Sequence, residues 1–501
     1  MPSERNPVLN AASTKSADHA MTMKTRGTGS THPPVSVRVT AGLVAAGDLA
    51  VVFGAGLFAL YWLSRSIPVD AQLFRILTVV GTVLFVNLLQ IFGGYRFGNL
   101  ARAQMLALAQ AFTAWLATIG ALFVALRVSG LHSSATHIWL LLWLMVGSAG
   151  LAVVRTAFSG RVRVWERAGR MRQRVAVLGA GRLAERFLHH CAAVPDPEIE
   201  IAGVYRERRE PHGAARCAGH EIAGDIDRLI ADIRDGRIDM VIVAMPAAAD
   251  LRLAETMSKL RLVPVDVRLC SESFVFDVGP CEVSQINGLT MFNVIDRPVS
   301  DWRWIAKAIE DRVLAALILL LIAPLLAIIA LAIKLDSRGP VFFRQKRYGF
   351  NRELIEVLKF RTMYHEACDP NAEKLTTRND PRVTRVGGFL RRMTLDELPQ
   401  FINVLRGEMS IVGPRPHAIS AKAGGVLYHD AVRYYDARHR MKPGITGWAQ
   451  INGWRGETQT IEQIQRRVEY DLYYIEHWSI LLDLKIILRT IMVGFTDARA
   501  Y

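Results

Sequence analysis

Cysteine is scarce and never closely paired. The five cysteines (Cys191, Cys217, Cys270, Cys281 and Cys368) are scattered without a CxxC pair, which excludes a thiolate zinc site and a dithiol redox motif and reads as reduced, cytosolic-side thiols. Glycine and proline are not in excess: 38 and 20 in 501 residues, with 51% of the chain apolar, exclude a collagen-like or wholly disordered protein. No lysine has a tyrosine four residues before it and no GxxGxxG is present, so the acid/base pair and dinucleotide loop of a nucleotide-sugar dehydratase or epimerase are missing. Acidic residues are the minority charge, 46 against 61 Lys+Arg, for a formal net charge of +15. That excess suits an anionic membrane surface. Nucleic acid is a poorer partner, because the basic residues flank apolar segments rather than gathering on one aromatic-rich soluble face.

A length of 501 residues implies roughly two to four units at about 150 residues each. Residues 1–37 are polar, without apolar periodicity, and are expected to be a disordered tail with no cleavable signal before the first apolar run. Four apolar runs follow, residues 41–63, 73–92, 105–126 and 138–158, within a transmembrane domain over 38–160. Each approaches the ~20 residues that carry a helix across ~30 Å of hydrocarbon. Asp48 and Arg155 are the charges of note inside these runs and read as interfacial or interhelical rather than catalytic. Lys15, Lys24, Arg26 and Arg38 before the first helix, and Arg161, Arg163, Arg167, Arg170, Arg172 and Arg174 after the fourth, put both flanks on the cytoplasmic side.

From Arg174 the pattern becomes soluble α/β. A strand over 174–178 runs into Gly179-Ala180-Gly181-Arg182-Leu183-Ala184, then a helical stretch, then strands over 199–205, 240–245 and 262–269. This is a Rossmann-like module, with bounds 172–285, whose GxGxxA turn would let a phosphate approach a helix N-terminus. Gly179 and Gly181 are its candidate cofactor-binding residues, with the ligand left open. Only Glu207 stands where a ribose-binding acid would be.

Residues 313–333 form a fifth, uncharged apolar run with basic flanks on both sides: Arg297, Arg303, Lys307 and Arg312 before it, Lys334, Arg338, Arg344, Lys346, Arg347 and Arg352 after it. A spanning helix with basic loops at both ends violates the positive-inside tendency. Pro324 at its middle removes one helical hydrogen bond. The expectation is a re-entrant helix that breaks at Pro324 and returns to the same face, opening a catalytic domain over 300–501.

The informative residues lie after 334. Asp396-Glu397 sits in a setting of arginines, Arg391, Arg392, Arg406 and Arg415, with Lys359 upstream. One carboxylate can attack phosphorus while its neighbour binds a divalent cation and the basic residues neutralise phosphate oxygens. The bare acidic pair carries little by itself. Lys359-Phe360-Arg361-Thr362-Met363, Asp380-Pro381-Arg382-Val383-Thr384-Arg385-Val386-Gly387, Thr394-Leu395-Asp396-Glu397-Leu398-Pro399-Gln400, Gly413-Pro414-Arg415-Pro416 and the run from Lys442-Pro443-Gly444 through Trp448 to Gly453 resemble, in order and spacing, the bacterial sugar transferase family of monotopic polyprenyl-phosphate phosphosugar transferases. The four helices and Rossmann-like module resemble the long form of that family. Trp454-Arg455-Gly456-Glu457 is similar to members that load glucose-1-phosphate onto undecaprenyl phosphate to begin an exopolysaccharide or capsule repeat.

The resemblance implies a membrane α plus α/β protein: four transmembrane helices, a Rossmann-like α/β module, and a mixed α/β catalytic domain with a re-entrant helix. It implies transfer of a hexose-1-phosphate from a UDP-sugar to undecaprenyl phosphate, with release of UMP, at the cytoplasmic face of the bacterial inner membrane. Glucose is favoured, galactose is the alternative, and Ile419-Ser420-Ala421-Lys422 departs from the His-Asn pair of glucose-type members. A non-catalytic scaffold of polysaccharide assembly is the alternative of a different class. Asp396 matches the nucleophile and Glu397 the Mg²⁺-holding carboxylate. Lys359, Arg361, Arg391, Arg415 and Pro416 are the substrate-binding candidates, and Pro324 is the helix break, with Ala323 where some small members have serine. Arg392 reads as an interfacial charge, His417 as a satisfied surface histidine, and Trp448 and Trp454 as belt or core residues. Membrane lipid is a partner, nucleic acid is not, and a homo-oligomer is left open.

Overall fold

The computed structural model describes residues 36–95, 104–168, 170–194, 196, 199–206, 216–245, 250–270, 282–286, 289–367, 380–456 and 460–496. The expected tail up to residue 35, and Glu207, Cys281, Cys368 and Glu457, lie outside the described residues.

Four long helices open the chain: α1 (Val37–Ser64), α2 (Ala71–Ile91), α3 (Gln104–Val128) and α4 (Ser134–Arg167). Each is long and apolar enough to cross a membrane. Their shared core is aromatic. Trp115, Trp139 and Trp143 are fully buried, and each indole N–H donates to a backbone carbonyl of a neighbouring helix, Leu144, Gly56 and Val52 respectively. Glycines make room for the rings: a Cβ at Gly81 would lie 2.4 Å from Trp143, and one at Gly147 would lie 2.8 Å from Trp115. Asp48 and Arg155 are interhelical, as expected, and wholly enclosed. Arg155 grips both carboxylate oxygens of Asp48, at 2.6 and 3.3 Å, and donates its third contact to the Ala107 carbonyl at 2.8 Å. The fourth helix runs on to Arg167, nine residues beyond the expected end at 158, so at ~1.5 Å per residue it outruns the ~30 Å hydrocarbon layer. It leads almost directly into the next module.

That module is an eight-stranded sheet in the order β3-β4-β2-β1-β5-β6-β8-β7. Its strands and helices alternate: β1 (Gln173–Leu178), α5 (Arg182–Ala193), β2 (Ile199–Arg206), β3 (Arg216–Cys217), β4 (His220–Asp225), α6 (Ile226–Arg234), β5 (Met240–Val243), α7 (Asp250–Leu260), β6 (Asp266–Cys270), β7 (Glu282–Ile286) and β8 (Leu289–Ile295). The five strands β4-β2-β1-β5-β6 are parallel, and β1 and β5 meet at the reversal of strand order. Their residues Val175–Leu178 and Met240–Val243 are buried on both faces, which is why they read as unbroken apolar runs. Expected strand 262–269 begins only at Asp266. Leu262 and Val263 close the end of α7 by donating to Lys259 and Leu260, and Pro264 has no N–H for a ladder. The sheet continues past residue 285, because the antiparallel pair β7–β8 adds to β6 as far as Ile295.

The third region begins with α8 (Asp301–Asp336), a helix of 36 residues that includes Pro324. Both of its ends pack on the same domain. Asp311 accepts from Ser410 and the Ile411 N–H, while Ile329 and Ile333 are buried against Phe360 and Leu390. Between them Leu320, Leu321 and Ile328 are exposed at 77, 82 and 65%, the bare apolar middle that the run 313–333 foretold. The domain continues through the hairpin β9 (Phe342–Tyr348) and β10 (Leu354–Phe360), then α9 (Arg385–Arg392), a 3₁₀ turn Leu395–Glu397, α10 (Gln400–Arg406), β11 (Ser410–Val412), the small pair β12 (Lys422–Ala423) and β13 (Val426–Leu427), α11 (Tyr428–Ala431) and a 3₁₀ segment Tyr435–Arg440. It ends with β14 (Gly444–Thr446), α12 (Trp448–Ile451), α13 (Ile461–Glu476) and α14 (Ile480–Thr496).

The Asp48–Arg155 pair is a unit, and breaking half of it strands a buried charge. Asp48→Ala is expected to cost roughly 3–5 kcal/mol, and Asp48→Leu combined with Arg155→Met clearly less. Thermal unfolding of the full chain in detergent, followed by tryptophan fluorescence, separates the two; equal losses would contradict the reading.

Candidate active site

The acidic pair is presented by a strained turn. Thr394, the residue before the 3₁₀ turn Leu395–Glu397, has φ +57°, a conformation that a β-branched residue adopts at a cost of roughly 1–3 kcal/mol. Its hydroxyl accepts from Arg455 at 3.2 Å. The turn sends Asp396 and Glu397 into different surroundings: Glu397 is buried and Asp396 is half-buried.

Glu397 joins two distant segments. Lys359, on β10, donates to Oε1 at 2.8 Å, and Arg415, just beyond β11, donates to Oε1 at 2.5 Å and to Oε2 at 3.0 Å. Burial by itself would raise the Glu397 pKa, but Arg415 and Lys359 outweigh it and hold the carboxyl far below the usual range. Asp396 moves the other way. Burial raises its pKa; Lys359, Arg391 and Arg415 oppose that rise, while the Glu397 charge adds to it. Two neighbouring carboxylates thus have separated affinities for protons, the arrangement expected where they do different jobs.

Glycines in the motifs explain how Arg415 reaches Glu397. Beside the parallel pair β11–β14, a Cβ on Gly413 would lie 2.5 Å from the Lys442 carbonyl, one on Gly444 2.1 Å from the Gly413 nitrogen, and one on Gly447 2.4 Å from the Gly413 carbonyl. Backbones this close exclude any side chain, which accounts for the Gly-Pro-Arg-Pro and Lys-Pro-Gly-Ile-Thr-Gly segments together. Gly387 likewise lets α9 touch the exit of β10, since a Cβ there would lie 2.1 Å from the Thr362 carbonyl. Arg391, on that helix, donates from Nε to the Thr362 hydroxyl at 2.8 Å.

Two guanidiniums, buried Arg438 and half-buried Arg347, hold the Arg415 loop from behind. Arg438 donates to the Arg415 carbonyl at 2.6 Å and to Asp471 at 2.8 Å, and Arg347 donates to the Pro416 carbonyl at 3.1 Å. His417 is not a surface histidine. Its ring is half-buried against the Tyr435 hydroxyl at 2.8 Å and Arg467 at 3.3 Å. Burial and the surrounding charges of Arg438, Arg467, Arg347 and Arg415 push its pKa well down, so the ring is neutral. Trp448 is a core residue, packed with the cluster around Met409 and Tyr474.

A cleft of about 220 Å³ opens over this arrangement, with Glu397 and Arg415 in its wall together with Thr394, Gln450, Arg455 and Thr490. Of the residues expected at the substrate, Lys359, Arg391 and Arg415 converge around the acidic pair, and Pro416 contributes its carbonyl to the Arg347 contact. Arg361 does not join them. Only 2% exposed, it donates to the carbonyls of Ser337 at 2.7 Å and Arg338 at 2.6 Å, so its charge satisfies the C-terminal end of α8. Thr394, Gln450 and Arg455 stand inside the quoted motifs without having been singled out, while Thr490 lies in an apolar helix with no sequence signal.

Among the described residues no three His, Cys, Asp or Glu side chains gather as a metal site. A divalent ion at Asp396 and Glu397 would therefore need substrate oxygens and water, the usual setting for Mg²⁺. Glu397 has room for it: of the four lone-pair positions of a carboxylate, Lys359 and Arg415 occupy three, leaving one on Oε2. In the Rossmann-like module, Gly179 has φ +114° and a Cβ there would lie 2.5 Å from the Ala244 carbonyl, so strand packing alone requires it. Gly181 caps α5 without a side-chain hydrogen bond and a Cβ there would meet nothing within 4 Å, which leaves space for a phosphate-bearing group.

The depressed pKa of Glu397 makes stability depend on pH with a definite sign. Its contribution is present above the ordinary glutamate value of 4.5 and is lost as pH falls below it. Glu397→Gln is expected to lower stability at pH 7, by leaving Lys359 and Arg415 uncompensated, and to flatten the acid side of the profile. Thermal unfolding between pH 3 and 7 checks this; parallel profiles for the two proteins would refute it.

Comparison with known proteins places the same region in a family. Residues 302–497 match the model of the family described as bacterial sugar transferase, and residues 90–271 match that of a CoA-binding domain. The UDP-glucose:undecaprenyl-phosphate glucose-1-phosphate transferase of Escherichia coli (strain K12) is 42% identical over 364 residues, covering 73% of this chain and 76% of that protein. The protein of the same name from Xanthomonas campestris pv. campestris is 32% identical over 91% of this chain and 93% of its own length. The undecaprenyl-phosphate glucose phosphotransferase of Komagataeibacter xylinus is 42% identical over 64% of this chain and 59% of its own. With Glu397 held by Lys359 and Arg415 in the cleft, the match of residues 302–497 and similarity over nearly the whole length of a relative establish that this chain belongs to the bacterial sugar transferase family.

Proposed function

We propose that this protein transfers glucose-1-phosphate from UDP-glucose to undecaprenyl phosphate, releasing UMP and beginning an exopolysaccharide or capsule repeat unit. The reading is carried by one arrangement, Asp396 beside a Glu397 neutralised by Lys359 and Arg415, in a chain whose similar proteins bear the names of that reaction. A carboxylate of Asp396 attacks the β-phosphorus of UDP-glucose. The new bond joins an Asp396 oxygen to that phosphorus, and the bond to the bridging oxygen breaks, so UMP leaves with it. An oxygen of undecaprenyl phosphate then attacks the same phosphorus and displaces Asp396, giving undecaprenyl-diphospho-glucose and the free enzyme.

Each neighbour has a task in that scheme. Lys359, Arg391 and Arg415 lower the proton affinity of Asp396, keeping it available as a nucleophile against the rise caused by burial. Their charges also face the oxyanions of the transferred group. Glu397 would hold Mg²⁺ together with the diphosphate, and the ion would neutralise charge on the phosphate oxygens.

The reading places the four N-terminal helices across the inner membrane and the catalytic domain on its cytoplasmic side. In support of a re-entrant α8, Asp311 near its start and Ile329 and Ile333 near its end pack on one polar domain, which cannot lie on both sides of a bilayer. Pro324 leaves the Leu320 carbonyl without its helical donor at the exposed apolar middle, where a bend costs least.

Purified full-length protein is expected to release UMP from UDP-glucose in the presence of undecaprenyl phosphate and Mg²⁺, and less or none from UDP-galactose. Asp396→Asn should abolish release while leaving the protein folded. Lys359→Met removes a charge that lowers the Asp396 pKa, so the acid limb of its residual activity should move to higher pH. UMP release from every UDP-sugar by Asp396→Asn would sink the nucleophile; none from wild type would sink the reaction and leave the scaffold reading.

A further inference from the structure

The 3₁₀ segment Tyr435–Arg440 lies between the Rossmann-like module and the Arg415 loop, and it faces both. In a 3₁₀ helix, residues three apart share an edge. Tyr435 and Arg438 share one edge, turned to the catalytic loop: Arg438 donates to the Arg415 carbonyl at 2.6 Å, and the Tyr435 hydroxyl meets His417 at 2.8 Å. Asp436 and His439 share the next. There Asp436 Oδ2 accepts from Arg352 at 2.6 Å and from Arg234 at 3.5 Å. Arg234 is the last residue of α6, in the Rossmann-like module, while Arg352 belongs to the loop between β9 and β10.

That loop is specially shaped for the contact. Asn351 and Arg352 have φ +53° and +61°, two consecutive residues in the left-handed region. The shape points Asn351 at the Arg234 carbonyl, to which it donates at 2.7 Å, and Arg352 at Asp436. A further tie reinforces it: Arg440 donates to the Asp296 carbonyl, just past β8, at 2.8 Å. One carboxylate of the catalytic domain is thus shared between a guanidinium of the Rossmann-like module and one of its own domain. From Asp436 the 3₁₀ segment runs two residues on to Arg438, which donates to the Arg415 carbonyl, and Arg415 pairs with Glu397.

We propose that Asp436 is a positioning residue through which the docked Rossmann-like module sets the place of Arg415, and so the binding of the nucleotide-sugar donor. This rests on the reaction read above. The module acts as a brace on the donor side of the cleft. A bound ligand or displacement that moved the end of α6 would reach Arg415 by the same contacts.

The test uses the full chain in detergent, with Arg234→Ala, Asp436→Asn, Asp436→Glu and the double Arg234→Ala/Asp436→Asn. Arg234→Ala and Asp436→Asn are each expected to raise KM for UDP-glucose by about fivefold or more, with KM for undecaprenyl phosphate unchanged. The double variant should be no worse than Asp436→Asn, and Asp436→Glu should recover donor KM. A merely structural role would lower kcat with the folded fraction and leave both KM values alone. That result, or wild-type kinetics in Arg234→Ala, overturns the proposal. Titration of the same variants with UDP-glucose keeps the two readings apart. Weakened donor binding in Arg234→Ala supports the coupling even if no variant, wild type included, releases UMP, whereas unchanged donor binding overturns it.

Discussion

The carboxylate of Glu397 is the contact on which the catalytic region depends. It is buried, and a buried carboxylate without partners is driven to take up a proton. Lys359 and Arg415 prevent this, and in doing so they tie the β9–β10 hairpin, the Leu395–Glu397 turn and the loop after β11 to one point. Asp396 inherits its position from this knot. It sits one residue away, in a turn that Thr394 can make only in a left-handed conformation. The pairing of Glu397 and the placement of Asp396 are therefore two outcomes of one arrangement.

Around that point the fold is arranged so that cations meet. Arg347, Arg415, Arg438 and Arg467 would repel one another if they were free, and the domain separates them with neutral His417, with Tyr435 and with the acid Asp471. Several of their N–H groups end on carbonyls of the loop they support. A buried network of this kind is stable only when its donors find acceptors. Its members come from β9, the 3₁₀ segment Tyr435–Arg440 and α13, so the loop is held from several elements at once.

The membrane-facing regions obey a different rule. Within the four-helix bundle the aromatic core is fitted by glycines, and the pair Asp48–Arg155 closes on itself, so that these two charges are enclosed between the helices. In α8 the constraint is that both ends are tied to the catalytic domain, Asp311 near one end and Arg361 capping the other, while the apolar middle stays bare. Arg361 shows how this differs from a motif reading. A conspicuous arginine beside Lys359 is engaged by backbone carbonyls, because the C-terminal end of a long helix needs donors as much as a phosphate does.

Much of this was legible in the residues alone. Runs of about twenty apolar residues fixed the membrane helices, since length and hydropathy are local properties. Unbroken apolar strands and a glycine turn marked the Rossmann-like module, and the Asp396-Glu397 motif with its spacing marked the site. Lys359, Arg391 and Arg415 could be named as its cations through the resemblance of the motifs that carry them. What the residues could not decide was how side chains with equal claims divide their partners. Arg361 and Lys359 are two positions apart on an extended chain, so the pleat points them the same way, yet one caps a helix and the other pairs Glu397. His417 looked like a surface residue because the guanidiniums that enclose it come from positions as far apart as Arg347 and Arg467. Composition and local pattern thus marked the elements, and the resemblance of the motifs pointed to the acidic pair and the family. Only the tertiary structure decided which cation serves which acceptor, because that depends on burial and distance between segments far apart in the chain.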